Sequence, residues 1–215
     1  MADKFDLSGI RRDYGQMDLL KANIQENPFA QFQLWFDEVL KKEHADPTAM
    51  TIATVDEHGQ PDLRVVLLKE VTEAGFVFYS NYDSVKAHQL TQNPRCALNF
   101  FWPDLARQVR IHGYAEKVSV EKSDKYFASR PKMSQISAWV SHQSEIVENR
   151  KILETRFKEL IGRYESQTVP RPDYWGGYIV IPNYFEFWQG RDCRLHDRLS
   201  YRQDHGQWIC ERLSP

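Results

Sequence analysis

From Thr48 to Val118 the chain reads as a succession of short β-prone runs divided by turn residues, and this constrains the fold more than any other feature. Thr48 to Val55 is followed by the turn Asp56-Glu57-His58-Gly59 and a second run, Asp62 to Lys69, which together read as a hairpin. A third run, Gly75 to Ser80, leads into a short helix around Ser84 to Thr91. Further strands are expected at Arg95 to Phe101 and Gln108 to Val118. Before this block, Asn27-Pro28 supplies an N-cap and a first-turn proline to an amphipathic helix carrying Phe29, Phe32, Phe36, Val39 and Leu40, ending near His44. After it, helical patterns cover about Glu121 to Ser129, Ser134 to Ser141 and Ser144 to Tyr164. Pro170, Arg171 and Pro172 close the helical block. Strands return at Trp175 to Ile181, Tyr184 to Gln189, Arg194 to Arg202 and Gln207 to Leu213. Seven or eight strands joined mostly by hairpins, with helices inserted as a block, predict a barrel-like antiparallel sheet with packed helices rather than a doubly wound parallel sheet.

The chain has 215 residues, and no Pro/Gly/Ser-rich linker divides it, so one domain over 26–215 is expected. Residues 1–25 are polar, with Arg11-Arg12-Asp13-Tyr14 as their one dense feature, and read as a mobile arm. A net charge of −2 gives no global reason to bind nucleic acid or a membrane. No stretch approaches the roughly 18 apolar residues of a membrane span. Cys96, Cys193 and Cys210 are odd in number and lack C-x-x-C spacing, which fits a reducing, cytoplasmic compartment. The seven His have no ligand spacing, so no metal site is expected. Glycine-rich phosphate loops, the G-x-S-x-G elbow and H-E-x-x-H are all absent, so any phosphate must be held by side chains.

Two segments carry such side chains. In Trp188-Gln189-Gly190-Arg191-Asp192-Cys193-Arg194-Leu195-His196-Asp197-Arg198, a strand would place Arg194, His196 and Arg198 on one face. A face of two guanidiniums and an imidazole needs an anion, a carboxylate partner or water. It reads either as a solvated edge or, with Trp188 beside it, as a site for a flat, phosphorylated ligand. Tyr126, Arg130 and Ser134, spaced by four around the Arg130-Pro131 break, read equally as a capped helix corner, with Ser134 capping the second helix, or as a phosphate socket. Arg64, Lys69, Lys86, Arg107, Gln108 and Arg110 are further cationic or polar positions on or beside strands. Arg64 and Lys69 are five apart, so both serve one ligand only if the strand bends or one contacts through its main chain.

Taken in order, Arg64-Val65-Val66-Leu67-Leu68-Lys69, Phe78-Tyr79-Ser80-Asn81, Tyr126-Phe127-Ala128-Ser129-Arg130-Pro131, Trp188-Gln189-Gly190 and Arg194-Leu195-His196-Asp197-Arg198 resemble the pyridoxamine 5′-phosphate oxidase family, from Arg11 to Pro215. The resemblance implies a mainly β fold with α-helices (α+β), an antiparallel split β-barrel, and a homodimer holding FMN at its interface. It implies oxidation of pyridoxine or pyridoxamine 5′-phosphate to pyridoxal 5′-phosphate, with dioxygen as acceptor and hydrogen peroxide, plus ammonia from the amine, as by-products.

Motif by motif, Arg64, Val65, Val66, Leu67, Leu68, Lys69, Tyr79, Ser80, Lys86, Gln108, Gln143, Ser144, Trp188 and Arg198 resemble the family's FMN-binding set. Lys69, Tyr126, Arg130, Ser134, Arg194 and His196 resemble its substrate set, with Arg194 and His196 at the reacting end and Arg11, Arg12 and Tyr14 closing over the substrate. The chain reads Ser84-Val85-Lys86-Ala87-His88 where many family members carry Arg for Val85, which removes one cationic contact to the FMN phosphate. Two alternatives are a related FMN split-barrel oxidoreductase acting on another flat substrate, and a non-catalytic flavin- or pyridoxal-phosphate-binding protein.

Overall fold

The structure, a computed structural model, describes Leu7, Gly9, 17–42 and 46–215. It falls into two compact units. One takes in the described residues up to Pro47 with Phe100–Arg110 and Tyr184–Pro215; the other is Thr48–Asn99 with Ile111–Asn183.

The second unit holds the predicted antiparallel block apart from Phe100–Arg110. Strands β1 (Ala49–Val55) and β2 (Pro61–Leu67) form the expected hairpin, with Ala49 opposite Leu67 and Val55 opposite Pro61. They are followed by β3 (Glu70–Thr72), β4 (Gly75–Asn81), helix α2 (Val85–Gln92) and β5 (Arg95–Trp102). With β6 (Arg107–Lys117) and β7 (Trp175–Gln189), the order is β2-β1-β5-β6-β7-β4-β3. The expected strand from Asp62 to Lys69 stops at Leu67. Leu68 N–H still bonds to Thr48 O (2.8 Å), whereas Lys69 N–H bonds to Val77 O (2.8 Å), so the backbone leaves β1 for β4 between these residues. This is the bend that lets Arg64 and Lys69 face one space.

Three helices pack on this unit: α3 (Val120–Ser129), α4 (Lys132–Val140) and α5 (Arg150–Arg163). Their apolar sides meet β7 in a cluster of Phe127, Ile136, Tyr164, Val169 and Trp175, with Tyr79, Tyr126, Trp139, Phe157 and Leu160 packed against it. Helix α5 begins at Arg150, six residues after its expected start, because Asn149 caps it by accepting from Ile152 N–H and Ser144 sits at φ 77°, outside helical space. The cap of α4 also differs from expectation. Pro131 is the cap position and Ser134 lies in the first turn, its N–H bonded to Pro131 O.

In the first unit, α1 (Pro28–Lys41) is capped by Asn27, whose side chain accepts from Phe29 N–H at 2.8 Å. It buries Phe32, Trp35 and Val39. Phe32 meets Phe100 edge-on (5.0 Å) and Trp35 meets Phe187 (5.2 Å). The end of β7 pairs with β8 (Asp197–Asp204), and β8 with β9 (Gln207–Leu213). The two strands expected at Trp175–Ile181 and Tyr184–Gln189 are one: residues 175–180 pair with β4 and 184–189 with β8, so a change of partner, not a break, lies between them.

Arg194 does not begin a strand. Asp192–Arg194 is a 3₁₀ turn with Cys193 at φ 55° and Arg194 at φ 61°, and β8 starts at Asp197. Of the expected arm, Leu19 is buried and held by its N–H on Asp197 (3.0 Å) and its carbonyl on Arg212 (2.8 Å). Arg11, Arg12 and Tyr14 lie outside the described residues.

Candidate active site

A cavity of about 1010 Å³ opens in the second unit between the bend after β2, the end of β4, the start of α2, and helices α3 and α4. That is the upper end of the roughly 300–1,000 Å³ typical of small-molecule sites. Its lining includes Arg64 to Leu67, Lys69, Tyr79, Ser80, Val85, Lys86, Tyr126, Arg130, Ser134, Gln143, Ser144 and Trp175. Leu68 is the exception in its segment, 4% exposed and in the core.

One end is built around Lys86. Its ammonium is buried and donates to Gln143 Oε1 (2.9 Å), Ser80 Oγ (3.1 Å) and Ser84 Oγ (3.2 Å), three neutral oxygens. Burial first, then the nearby Arg64 guanidinium, brings its pKa down to about 8, with Asp62 acting in the opposite sense. Arg64 is held on Thr54 Oγ1 (2.5 Å) and paired with Asp62; Thr54 in turn donates to Gln89. Gln143 and Ser144 come from the loop before α5, and Ser144 Oγ accepts Val85 N–H at 3.4 Å. A buried ammonium among neutral acceptors favours an incoming anion.

The other end is built on aromatic plates. Tyr79 and Tyr126 stack at 3.8 Å and 15°, and Trp175 lies nearly parallel to both, 5.5 and 6.2 Å away. Glycines at 176 and 177 permit this: a Cβ on Gly177 would come within 2.8 Å of the Tyr79 ring, and one on Gly176 within 2.2 Å of the Tyr82 hydroxyl. Burial, then Glu70 and Tyr126, push the Tyr79 hydroxyl up to about 12. Arg130, the C-cap of α3, has its guanidinium carbon 4.6 Å over the Trp175 ring. Its Nη1 is buried with no hydrogen-bond partner among the described residues, and burial lowers its pKa. Tyr126, Arg130 and Ser134 are therefore brought together on one cavity wall, with Arg130 only partly exposed.

Gln108, Trp188, Arg194, His196 and Arg198 belong to the first unit. Trp188 is directly opposite Arg198 across β7 and β8, so the two share a face. Arg198 donates to buried Glu186 (Nε to Oε1, 2.9 Å), which also pairs with Arg110. Burial alone would raise the Glu186 carboxyl; hydrogen bonds from Arg198 and Arg110 outweigh it and hold it below its usual range. Gln108 is half-buried on β6. His196 is half-buried against Trp188 (4.8 Å between rings), and its Nδ1 accepts Arg191 N–H at 3.1 Å. The neutral ring then carries its proton on Nε2. Arg194 is exposed. The alternating cationic face expected for Arg194, His196 and Arg198 does not form, because only Arg198 is in a strand.

Sequence reasoning passed over Trp175 and Glu186 as site residues. The signals were present: Trp175-Gly176-Gly177 pairs a large plate with two positions lacking side chains, and Glu186 is a lone acid two residues before Trp188 in an apolar strand.

Two family models match the chain: "Pyridoxamine 5′-phosphate oxidase" over residues 36–164 and "Pyridoxine 5′-phosphate oxidase C-terminal dimerisation region" over 175–215. Relatives named pyridoxine/pyridoxamine 5′-phosphate oxidase include one from Gloeothece citriformis, 53% identical over 97% of this chain and 98% of its own length. Another, from Haemophilus influenzae, is 52% identical over 98% of this chain and all of its own length. Among solved structures, PhzG from Burkholderia lata in complex with tetrahydrophenazine-1-carboxylic acid superposes with a TM-score of 0.87 at 26% identity, covering 94% of this chain and all of that one. A pyridoxamine 5′-phosphate oxidase-related FMN-binding protein from Nostoc punctiforme gives 0.69 at 16% identity, covering 86% and 96%, and shares the split-barrel fold.

Proposed function

This chain belongs to the pyridoxamine 5′-phosphate oxidase family, and on that premise we propose that the cavity brings FMN and a phosphorylated pyridoxine together, with a role for each of its two cationic ends. The protein is an oxidoreductase of vitamin B6 biosynthesis that converts pyridoxine 5′-phosphate and pyridoxamine 5′-phosphate to pyridoxal 5′-phosphate, with FMN as cofactor. It acts as a homodimer. The observation that carries the assignment of the site is that two cations, the buried Lys86 and the half-buried Arg130, line one cavity, Lys86 donating to neutral oxygens and Arg130 keeping Nη1 unpaired among the described residues. A flavin mononucleotide and a phosphorylated substrate supply one phosphate for each.

Lys86 and Arg64, with Ser80, Gln143 and Ser144, hold the cofactor phosphate, while Tyr79 and the Arg64–Lys69 segment border its ring. Tyr126, Arg130 and Ser134 hold the substrate phosphate, and Lys69 stands where both ligands come within reach. With Val85 at the start of α2, Lys86 and Arg64 carry the positive charge at the cofactor end. When bound, FMN would supply the two-electron oxidation of the substrate carbon bearing the alcohol or amine, with dioxygen as the final acceptor and hydrogen peroxide as by-product.

Trp188, Arg198 and Gln108 serve the flavin, and Arg194 and His196 the reacting end of the substrate, in a dimer with FMN at the interface. His196 Nδ1 accepts Arg191 N–H, which fixes the ring's orientation and suits a role in aligning the substrate's reacting end. Arg11, Arg12 and Tyr14 close over the substrate, as part of an arm ahead of a single domain over 26–215. The protein works in the cytoplasm, in keeping with three free cysteines; no described helix is long and apolar enough to cross a membrane.

The test is turnover. Purified protein supplied with FMN and pyridoxamine 5′-phosphate should consume dioxygen and release pyridoxal 5′-phosphate, ammonia and peroxide in equal amounts. Bound flavin with no substrate-dependent oxygen consumption would leave a flavin carrier in place of an oxidase.

A further inference from the structure

Trp175 is 8% exposed, lines the cavity, and has no hydrogen-bonding side-chain role in the described structure, yet its backbone is clamped on both sides. Its N–H bonds to Pro172 O (3.0 Å), and its carbonyl accepts from Arg171 Nη1 (2.6 Å), itself paired through Nε with Asp124 (2.6 Å). The ring is fixed further by Phe127, edge-on at 5.2 Å. What this rigid plate carries is the Arg130 guanidinium at 4.6 Å, with Nη1 left unpaired.

We propose that Trp175 is a positioning residue that sets specificity for phosphorylated substrates, by holding the cavity-lining Arg130 guanidinium on its ring face with its charge left for the phosphate. This rests on the reading of Tyr126, Arg130 and Ser134 as the substrate-phosphate socket. A guanidinium on a flexible stem loses side-chain entropy when it binds an anion; one already seated on an indole has lost much of it beforehand. The ring attracts the cation without using any of its N–H donors, which a carboxylate partner would consume. Neutralising Arg130 with an acid would also repel the phosphate, so an aromatic plate is the support that leaves both charge and donors available.

The experiment compares binding of 4-deoxypyridoxine 5′-phosphate and of 4-deoxypyridoxine to the FMN-loaded protein by calorimetry, in wild type, Trp175→Phe, Trp175→Leu and Arg130→Ala. Because indole holds a cation better than phenyl and an alkyl group does not hold it at all, the phosphorylated probe should weaken about threefold in Trp175→Phe and about tenfold or more in Trp175→Leu. The unphosphorylated probe should change less than about twofold in both. Should Trp175→Leu fail to fold, the smaller, phosphate-selective loss in Trp175→Phe carries the test alone. Equal weakening of both probes would reduce Trp175 to a packing role and overturn the proposal, as would no weakening of either. If Arg130→Ala leaves the phosphorylated probe unaffected, the socket itself is misassigned; if Arg130→Ala weakens it and the Trp175 variants do not, only the role of Trp175 falls.

Discussion

Lys86 Nζ lies 2.9 Å from Gln143 Oε1, which joins the first turn of α2 to the loop before α5 and surrounds a buried ammonium with neutral oxygens. The lowered pKa of about 8 gives this contact a pH dependence. Below that value Lys86 is charged and ready for a phosphate; above it, binding must first return a proton to the amine. A phosphate monoester is already a dianion there, its second pKa being about 6. FMN affinity of the flavin-free protein should therefore be flat between about pH 6.5 and 7.5 and fall up to about tenfold per unit above pH 8. Fluorescence titration across this range checks it. Lys86→Met should bind weakly and lose the pH dependence, and an unchanged slope in that variant would assign the titration to another group.

Arg130→Ala removes a charged donor that makes contact throughout the reaction. KM for pyridoxine 5′-phosphate should rise about 10- to 150-fold with little change in kcat, as expected for uniform binding. Steady-state kinetics decide this, and an unchanged KM would take Arg130 out of the socket.

Glu186, 2% exposed, is shared by Arg110 and Arg198. Replacing it with Gln leaves two guanidiniums without a counter-charge. Breaking a fully buried pair costs about 3–5 kcal/mol; with Arg110 and Arg198 partly solvated, about 2 kcal/mol is expected as a lowered urea midpoint. The flavin dissociation constant should rise in the folded fraction, because Arg198 loses the partner that aims it. A stability loss with unchanged flavin affinity would make Glu186 purely structural.

His196→Ala should lower kcat/KM by about tenfold, the worth of one hydrogen bond to a polarised group, with flavin content unchanged. Purification without bound flavin would place His196 with the cofactor instead.

The hairpin Ala49–Leu67 and the capped helix at Pro28 were legible because turn and capping residues act within a few positions. Arg194 to His196 misled because alternation of side-chain type does not report backbone angles: Cys193 and Arg194 take positive φ, and the strand begins only at Asp197. Ser134 misled similarly, Pro131 taking the position assigned to it as a cap. Family motifs named Gln143 and Ser144, which local pattern could not, because they reach Lys86 and Val85 across 57 and 59 positions. Trp175 and Glu186 escaped both approaches. Each looks like an ordinary strand residue until the strand register and its neighbours' charges are known.

The visible spectrum of the FMN-loaded protein, recorded anaerobically before and after pyridoxine 5′-phosphate is added, tests flavin, substrate and redox competence at once. The flavin band should bleach on addition and return when air is admitted, with pyridoxal 5′-phosphate formed in proportion. A band that persists through saturating substrate would contradict the assignment of the cavity to pyridoxine 5′-phosphate oxidation.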